Sequence, residues 1–152
     1  MLTNNIRYIL GLPPSNLPEL KKDFDEVLNV IWELDMPNKI KPFVCHEIAR
    51  MICAGMRKKG YDARVCDGRY YEEKLGLGIA DIEHSWVEIN PVVLDFHFVK
   101  DFGRMVQTCH DEIVYKWWEK RRYIHNGAKY DIARGLEGIA QGVFGENYVV
   151  YS

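Results

Sequence analysis

A chain of 152 residues, 47% hydrophobic and 28% charged, supports one domain with one sizeable core and hardly two. Its net charge of −2 gives no general attraction to nucleic acid or anionic lipid, and no apolar run approaches the roughly 20 residues that span a bilayer. The four cysteines contain no CxxC pair, and Met1 to Asn5 lack a secretory leader pattern, so free thiols and a cytoplasmic location are expected.

Leu12-Pro13-Pro14 stops any helix attempted by Ile6 to Leu10. A first firm helix is predicted over residues 15–34. Ser15 or Asn16 caps it, and Leu17, Leu20, Phe24, Val27, Leu28, Ile31 and Trp32 recur at helical spacing. A second helix is predicted from Cys45 to Lys59, punctuated by Gly60. Cys45, Ile48, Ala49, Ile52 and Met56 fall on its buried side, while His46, Glu47, Arg50 and Arg57 fall on its solvent side. Three strands follow: Asp62 to Tyr71, Ile82 to Asn90 and Val92 to Val99, with a loop at Gly76-Leu77-Gly78 and a turn at Asn90-Pro91. Helices are predicted again around Asp111 to Tyr123 and Ala128 to Gln141, with an edge strand at Tyr148 to Tyr151. The economical reading is one α+β domain spanning residues 1–152.

The turn at Asn90-Pro91 makes a register argument possible. An even-length loop sets His84 opposite His97 and Trp86 opposite Asp95, so His84 and Asp95 become diagonal neighbours on one face. A one-residue slip would separate them. Val92, Leu94, Phe96 and Phe98 form an apolar layer on the other face, and the polar pair is expected to face the helix that opens with Cys45. That arrangement suits nucleophilic catalysis. A helix N-terminus and a nearby imidazole lower a thiol's pKa. His84 takes the thiol proton and returns it to the leaving group, and Asp95 holds the imidazole tautomer. Backbone N–H groups at the helix start supply part of an oxyanion hole.

The run Cys45-His46-Glu47-Ile48-Ala49-Arg50-Met51-Ile52 through Gly60 to Ala63-Arg64-Val65, with His84-Ser85-Trp86-Val87-Glu88-Ile89 and Leu94-Asp95, resembles the transglutaminase-like superfamily of papain-related cysteine enzymes. The resemblance covers about residues 42 to 98. It implies a core with the cysteine-bearing helix packed on an antiparallel sheet, with extra helices at both ends (residues 15–34 and 109–141). It also implies Cys45 as nucleophile, His84 as base and Asp95 as orienting acid. Family members often place a Trp or Gln ahead of the nucleophile to complete the oxyanion hole; here that stretch offers Asn38. The superfamily contains peptidases, amidases, cross-linkers and leader-peptide proteases, and the fold does not choose among them.

Other residues complete the inventory. His97 is the rival base, and with Trp86 and Asn38 it is a candidate for contacting substrate. Cys53, Cys66 and Cys109 read as small core hydrophobes. Trp117-Trp118-Glu119-Lys120-Arg121-Arg122 reads as a helix with one Trp buried and a charged outer face. The first function expected is a cytoplasmic cysteine enzyme acting on a peptide or protein through a Cys45 thioester, without cofactor or metal. The alternative is a catalytically inactive peptide- or protein-binding module of the same fold. A weaker third reading is a zinc hydrolase using Cys45, His46, His84, His97 and Asp95, against which stands the missing paired spacing of structural zinc sites.

Overall fold

The computed structural model describes residues 2–35, 45–74, 78–96, 98–101, 104–107, 112–126 and 143–145. A short helix α1 (Asn4–Ile9) is capped by the Thr3 hydroxyl, which accepts from the Ile6 N–H at 3.2 Å, and it ends before the Pro13-Pro14 pair. Helix α2 (Leu17–Asp35) buries Leu20, Phe24, Val27, Leu28 and Ile31 along one stripe, as its spacing predicts. Helix α3 (Cys45–Lys58) lies against it and ends at Gly60, whose φ of +98° is a left-handed stop that side chains disfavour.

Strands β1 (Arg64–Lys74) and β2 (Gly78–Ile89) form a long antiparallel hairpin, paired from Arg64↔Glu88 to Lys74↔Gly78. Both run further than the sequence pattern suggested, so that Gly78 of the expected loop opens β2, while Gly76 and Leu77 lie outside the described residues. Strand β3 (Val92–Asp95) returns on β2 with Val87↔Leu94 and Ile89↔Val92. That is the even-loop register, in which Asp95 falls opposite Trp86. The single strand expected over Val92 to Val99 is instead two. After Phe96 the chain begins β4 (Phe98–Asp101), which among the described residues pairs with β5 (Arg104–Gln107) in a separate two-stranded sheet.

The helix expected over Asp111 to Tyr123 is not formed. Its place is taken by β6 (Glu112–Val114), a four-residue helix α4 (Trp117–Lys120) and β7 (Tyr123–His125). β6 and β7 cover the two open edges of the sheet, giving the order β6-β3-β2-β1-β7. Pairing along β3 and β1 satisfies backbone groups that a short helix would leave at its ends, and β-branched Ile113 and Val114 suit a strand. Both Trp117 and Trp118 are exposed, so neither is the buried Trp expected there. The predicted helix at Ala128 to Gln141 and strand at Tyr148 to Tyr151 lie outside the described residues, as do Asn38, His97 and Cys109.

The sheet is buried on both faces. On one, α3 packs over the sheet, α2 packs on α3, and both join one core cluster with Val65, Val87, Val92, Leu94 and Phe96. On the other, Cys66, Tyr70, Trp86, Val93, Val114 and Tyr123 form a second cluster. Gly68 lets β7 close on β1, because a Cβ there would stand 2.1 Å from the Ile124 carbonyl oxygen and 2.9 Å from the Trp86 ring. The described chain is a small α+β domain built on a five-stranded antiparallel sheet.

Candidate functional site

Alternation along β2 decides which residues meet. Ser85 and Val87 point toward α3; His84 and Trp86 point into the second cluster. The apolar layer of β3, rather than its polar residues, receives the helix, because that is where the apolar stripe of α3 can be buried. The expectation that His84 and Asp95 face the Cys45 helix is therefore corrected.

His84 and Asp95 do meet. His84 Nε2 lies 2.8 Å from Asp95 Oδ1, with the side chains 0% and 2% exposed. Tyr123 donates its hydroxyl to Asp95 Oδ2 at 2.6 Å. The rings of Tyr70, Trp86 and Tyr123 stand 6.0, 6.1 and 6.4 Å from the imidazole, so the pair sits in an aromatic box. Trp86 is itself buried and donates its indole N–H to Glu88 at 3.1 Å. It packs beside His84.

Cys45 is the first residue of α3 and is part-buried. The imidazole beside its sulfur belongs to His46, with Nδ1 at 3.7 Å and Nε2 at 4.0 Å. His46 was expected on the solvent side; it is half-buried, and its Nδ1 lies 2.7 Å from the Ser85 hydroxyl. Ser85 in turn donates to Asp67 Oδ1 at 2.5 Å. Arg50, also expected at the surface, is 1% exposed. Its guanidinium forks onto Asp67 at 2.9 and 3.3 Å, and it donates to the His46 carbonyl oxygen at 2.9 Å. The chain of groups fixes a tautomer. The single Ser85 proton goes to the carboxylate, so Ser85 accepts from His46 Nδ1–H, and Nε2 is the basic nitrogen of the neutral ring.

Burial pushes the Cys45 thiol above its ordinary pKa; the backbone N–H groups of Ser85 and His46 pull the other way, and Asp95 adds a further rise. This corrects the expected depression of the thiol pKa. Burial likewise lowers His46, with Asp67 opposing and Arg50 adding to the drop. Both shifts favour a thiol beside a neutral imidazole in the resting protein. Cys53 and Cys66 are buried thiols pushed up by burial to about 11 and about 12.

The sequence reading sets Cys45 at the start of α3 and pairs His84 with Asp95, as found; it gives no role to Asp67, Ser85, His46, Arg50 or Tyr123. One signal for the first two was available: paired polar residues, Asp67↔Ser85, interrupt the face whose neighbours Val65 and Val87 are apolar. Comparison with protein-family models, curated proteins and solved structures finds no match to this chain.

Proposed function

We propose that the chain is a cysteine-dependent enzyme acting on an amide or related acyl bond of a peptide or protein, through a thioester on Cys45. The observation that carries this reading is the anchored imidazole at the thiol: His46 Nε2 at 4.0 Å, with Nδ1 tied through Ser85 to the Arg50–Asp67 pair. As the sulfur attacks the acyl carbon, its proton passes to His46 Nε2, and the imidazolium then gives that proton to the leaving amine. Asp67, acting through Ser85, stabilises the charge on the ring. Backbone N–H groups at the start of α3 are donors for the oxyanion. Water resolving the thioester gives hydrolysis; an amine gives transfer.

A second reading keeps His84 as the base and Asp95 as its orienting acid, as the family resemblance implies. It is favoured by the 2.8 Å pair and requires His84 to present its ring to Cys45 across the sheet. Turnover of activated esters, peptide amides and amine acceptors tests both readings. Cys45→Ala abolishes turnover under either one. His46→Gln, rather than His84→Gln, removes it if the anchored imidazole serves. No turnover on any substrate, or turnover surviving Cys45→Ala, would leave the peptide-binding module without catalysis as the better account.

A further inference from the structure

A second cluster of reactive side chains lies apart from Cys45, on the face of the sheet away from α3. Cys66 on β1, Glu88 on β2 and His125 at the end of β7 bring one ligand atom each to within 4.8 Å of one another. His125 Nε2 and Glu88 Oε1 are already 3.2 Å apart. Tetrahedral bonds of roughly 2.0–2.3 Å to sulfur, nitrogen and oxygen need ligand atoms about 3.3–3.8 Å apart, so only small side-chain rotations separate this trio from a chelate. The exposed His125 side chain, 57% accessible, can make them.

The surroundings suit the ligands. Trp86 N–H holds Glu88 Oε1 at 3.1 Å, as outer partners orient metal-bound carboxylates. Lys120 Nζ sits 3.5 Å from the other carboxylate oxygen and offsets part of the negative charge that a thiolate and a carboxylate place together. Burial lowers the solvent competition at Cys66, while His125 keeps one side of the cluster open.

We propose that Cys66 Sγ, the Glu88 carboxylate and His125 Nε2 form a three-ligand site for a zinc-class divalent cation, with the fourth position open to water or an exchangeable ligand. A thiolate, an imidazole and a carboxylate are the set that selects zinc or cobalt over magnesium and calcium. On binding, the Cys66 S–H proton leaves to solvent as the sulfur–metal bond forms, the neutral His125 ring carries its proton on Nδ1 instead of Nε2 so that Nε2 gives its lone pair to the metal, and the metal's two charges meet those of the thiolate and the carboxylate. The site is distinct from a zinc set built on Cys45 and shares no residue with the thiol chemistry proposed there.

The experiment is titration of Co²⁺ into the metal-stripped full-length chain, followed by displacement with Zn²⁺. The expected result is one Co²⁺ per chain, with a thiolate-to-cobalt charge-transfer band, tetrahedral visible bands and release of about one proton per metal at neutral pH. His125→Ala, an exposed position where folding is retained, weakens binding about tenfold or more, and Glu88→Gln does the same. Cys66→Ser removes the charge-transfer band. Absence of that band, or binding unchanged in both His125→Ala and Glu88→Gln, overturns the proposal. So does loss of the band in Cys45→Ala, which would move the ligand to the other cysteine.

Discussion

Asp67→Asn probes the buried network most sharply. In the native protein the carboxylate receives Arg50 at 2.9 and 3.3 Å and Ser85 at 2.5 Å, and the Arg50 and Asp67 side chains are 2% and 0% exposed. The amide keeps the shape, but it turns an NH₂ toward one of these donors and leaves the guanidinium charge uncompensated. Breaking one side of such a pair costs about 3–5 kcal/mol, a large share of the roughly 5–15 kcal/mol that holds a domain together. With a urea m-value of about 2 kcal/mol/M, the midpoint of unfolding falls by about 1.5–2.5 M. Replacing both partners, as Arg50→Met with Asp67→Leu, leaves stability close to the parent, because the desolvation of both charges disappears with them. Urea unfolding followed by circular dichroism measures all three proteins. A single-variant cost below about 1 kcal/mol would refute the reasoning, since it would mean that water reaches the pair.

Three further outcomes follow from the same structure. His46 has a folded pKa below its unfolded value, so the unfolded chain binds more protons as pH drops below about 6.5; stability then rises with pH through that window and falls below it. His46→Gln flattens the pH 5–7 stability profile, and an unchanged slope contradicts the assignment. Gly68→Ala drives a methyl onto the Ile124 carbonyl oxygen, 2.1 Å away, and destabilises by about 1–3 kcal/mol or more; a thermal midpoint equal to the parent's would show that β7 moves freely. Lys59→Met, which removes exposed contacts to Asp23 at 3.6 Å and Glu26 at 2.5 Å, changes stability by less than about 1 kcal/mol, read in the same urea assay.

Much of the fold was legible where periodicity was long. The stripes of α2 and α3 extend over several turns, and the Asn90-Pro91 turn narrows the β2–β3 register to an even or an odd loop, of which the structure has the even one. The pairing of His84 with Asp95 holds only in the even-loop register, so the sequence offers it as a condition that the structure meets. Which face met α3 was not legible. Alternation alone leaves open which face takes the helix, but an apolar stripe on a helix is buried by the apolar layer of a sheet, and here that layer is Val87, Val92 and Leu94 rather than the polar pair. The polar pair was left to the opposite face, where Tyr70, Trp86 and Tyr123 enclose it, and Tyr123 comes from a strand read as helix.

His46 and Arg50 were misread for a related reason. A helical wheel sets them away from the buried stripe, but it knows nothing of the Asp67–Ser85 pair waiting on the sheet below the first turn of α3. A guanidinium with a long apolar stem can be drawn inward when a carboxylate meets it there. The segment over Asp111 to Tyr123 failed because strands of three residues leave too little alternation to outvote the aromatic and charged spacing around Trp117.

The most direct test of the central claim is where an acyl group lands. The chain is incubated with an activated acyl ester, quenched in acid so that a thioester survives, and mapped by peptide mass spectrometry. The expected result is a single acyl group on Cys45, accumulating more slowly in His46→Gln and absent in Cys45→Ala, with Cys53 and Cys66 unmodified. An adduct on another residue, or none at Cys45 under conditions that acylate free cysteine, would contradict it.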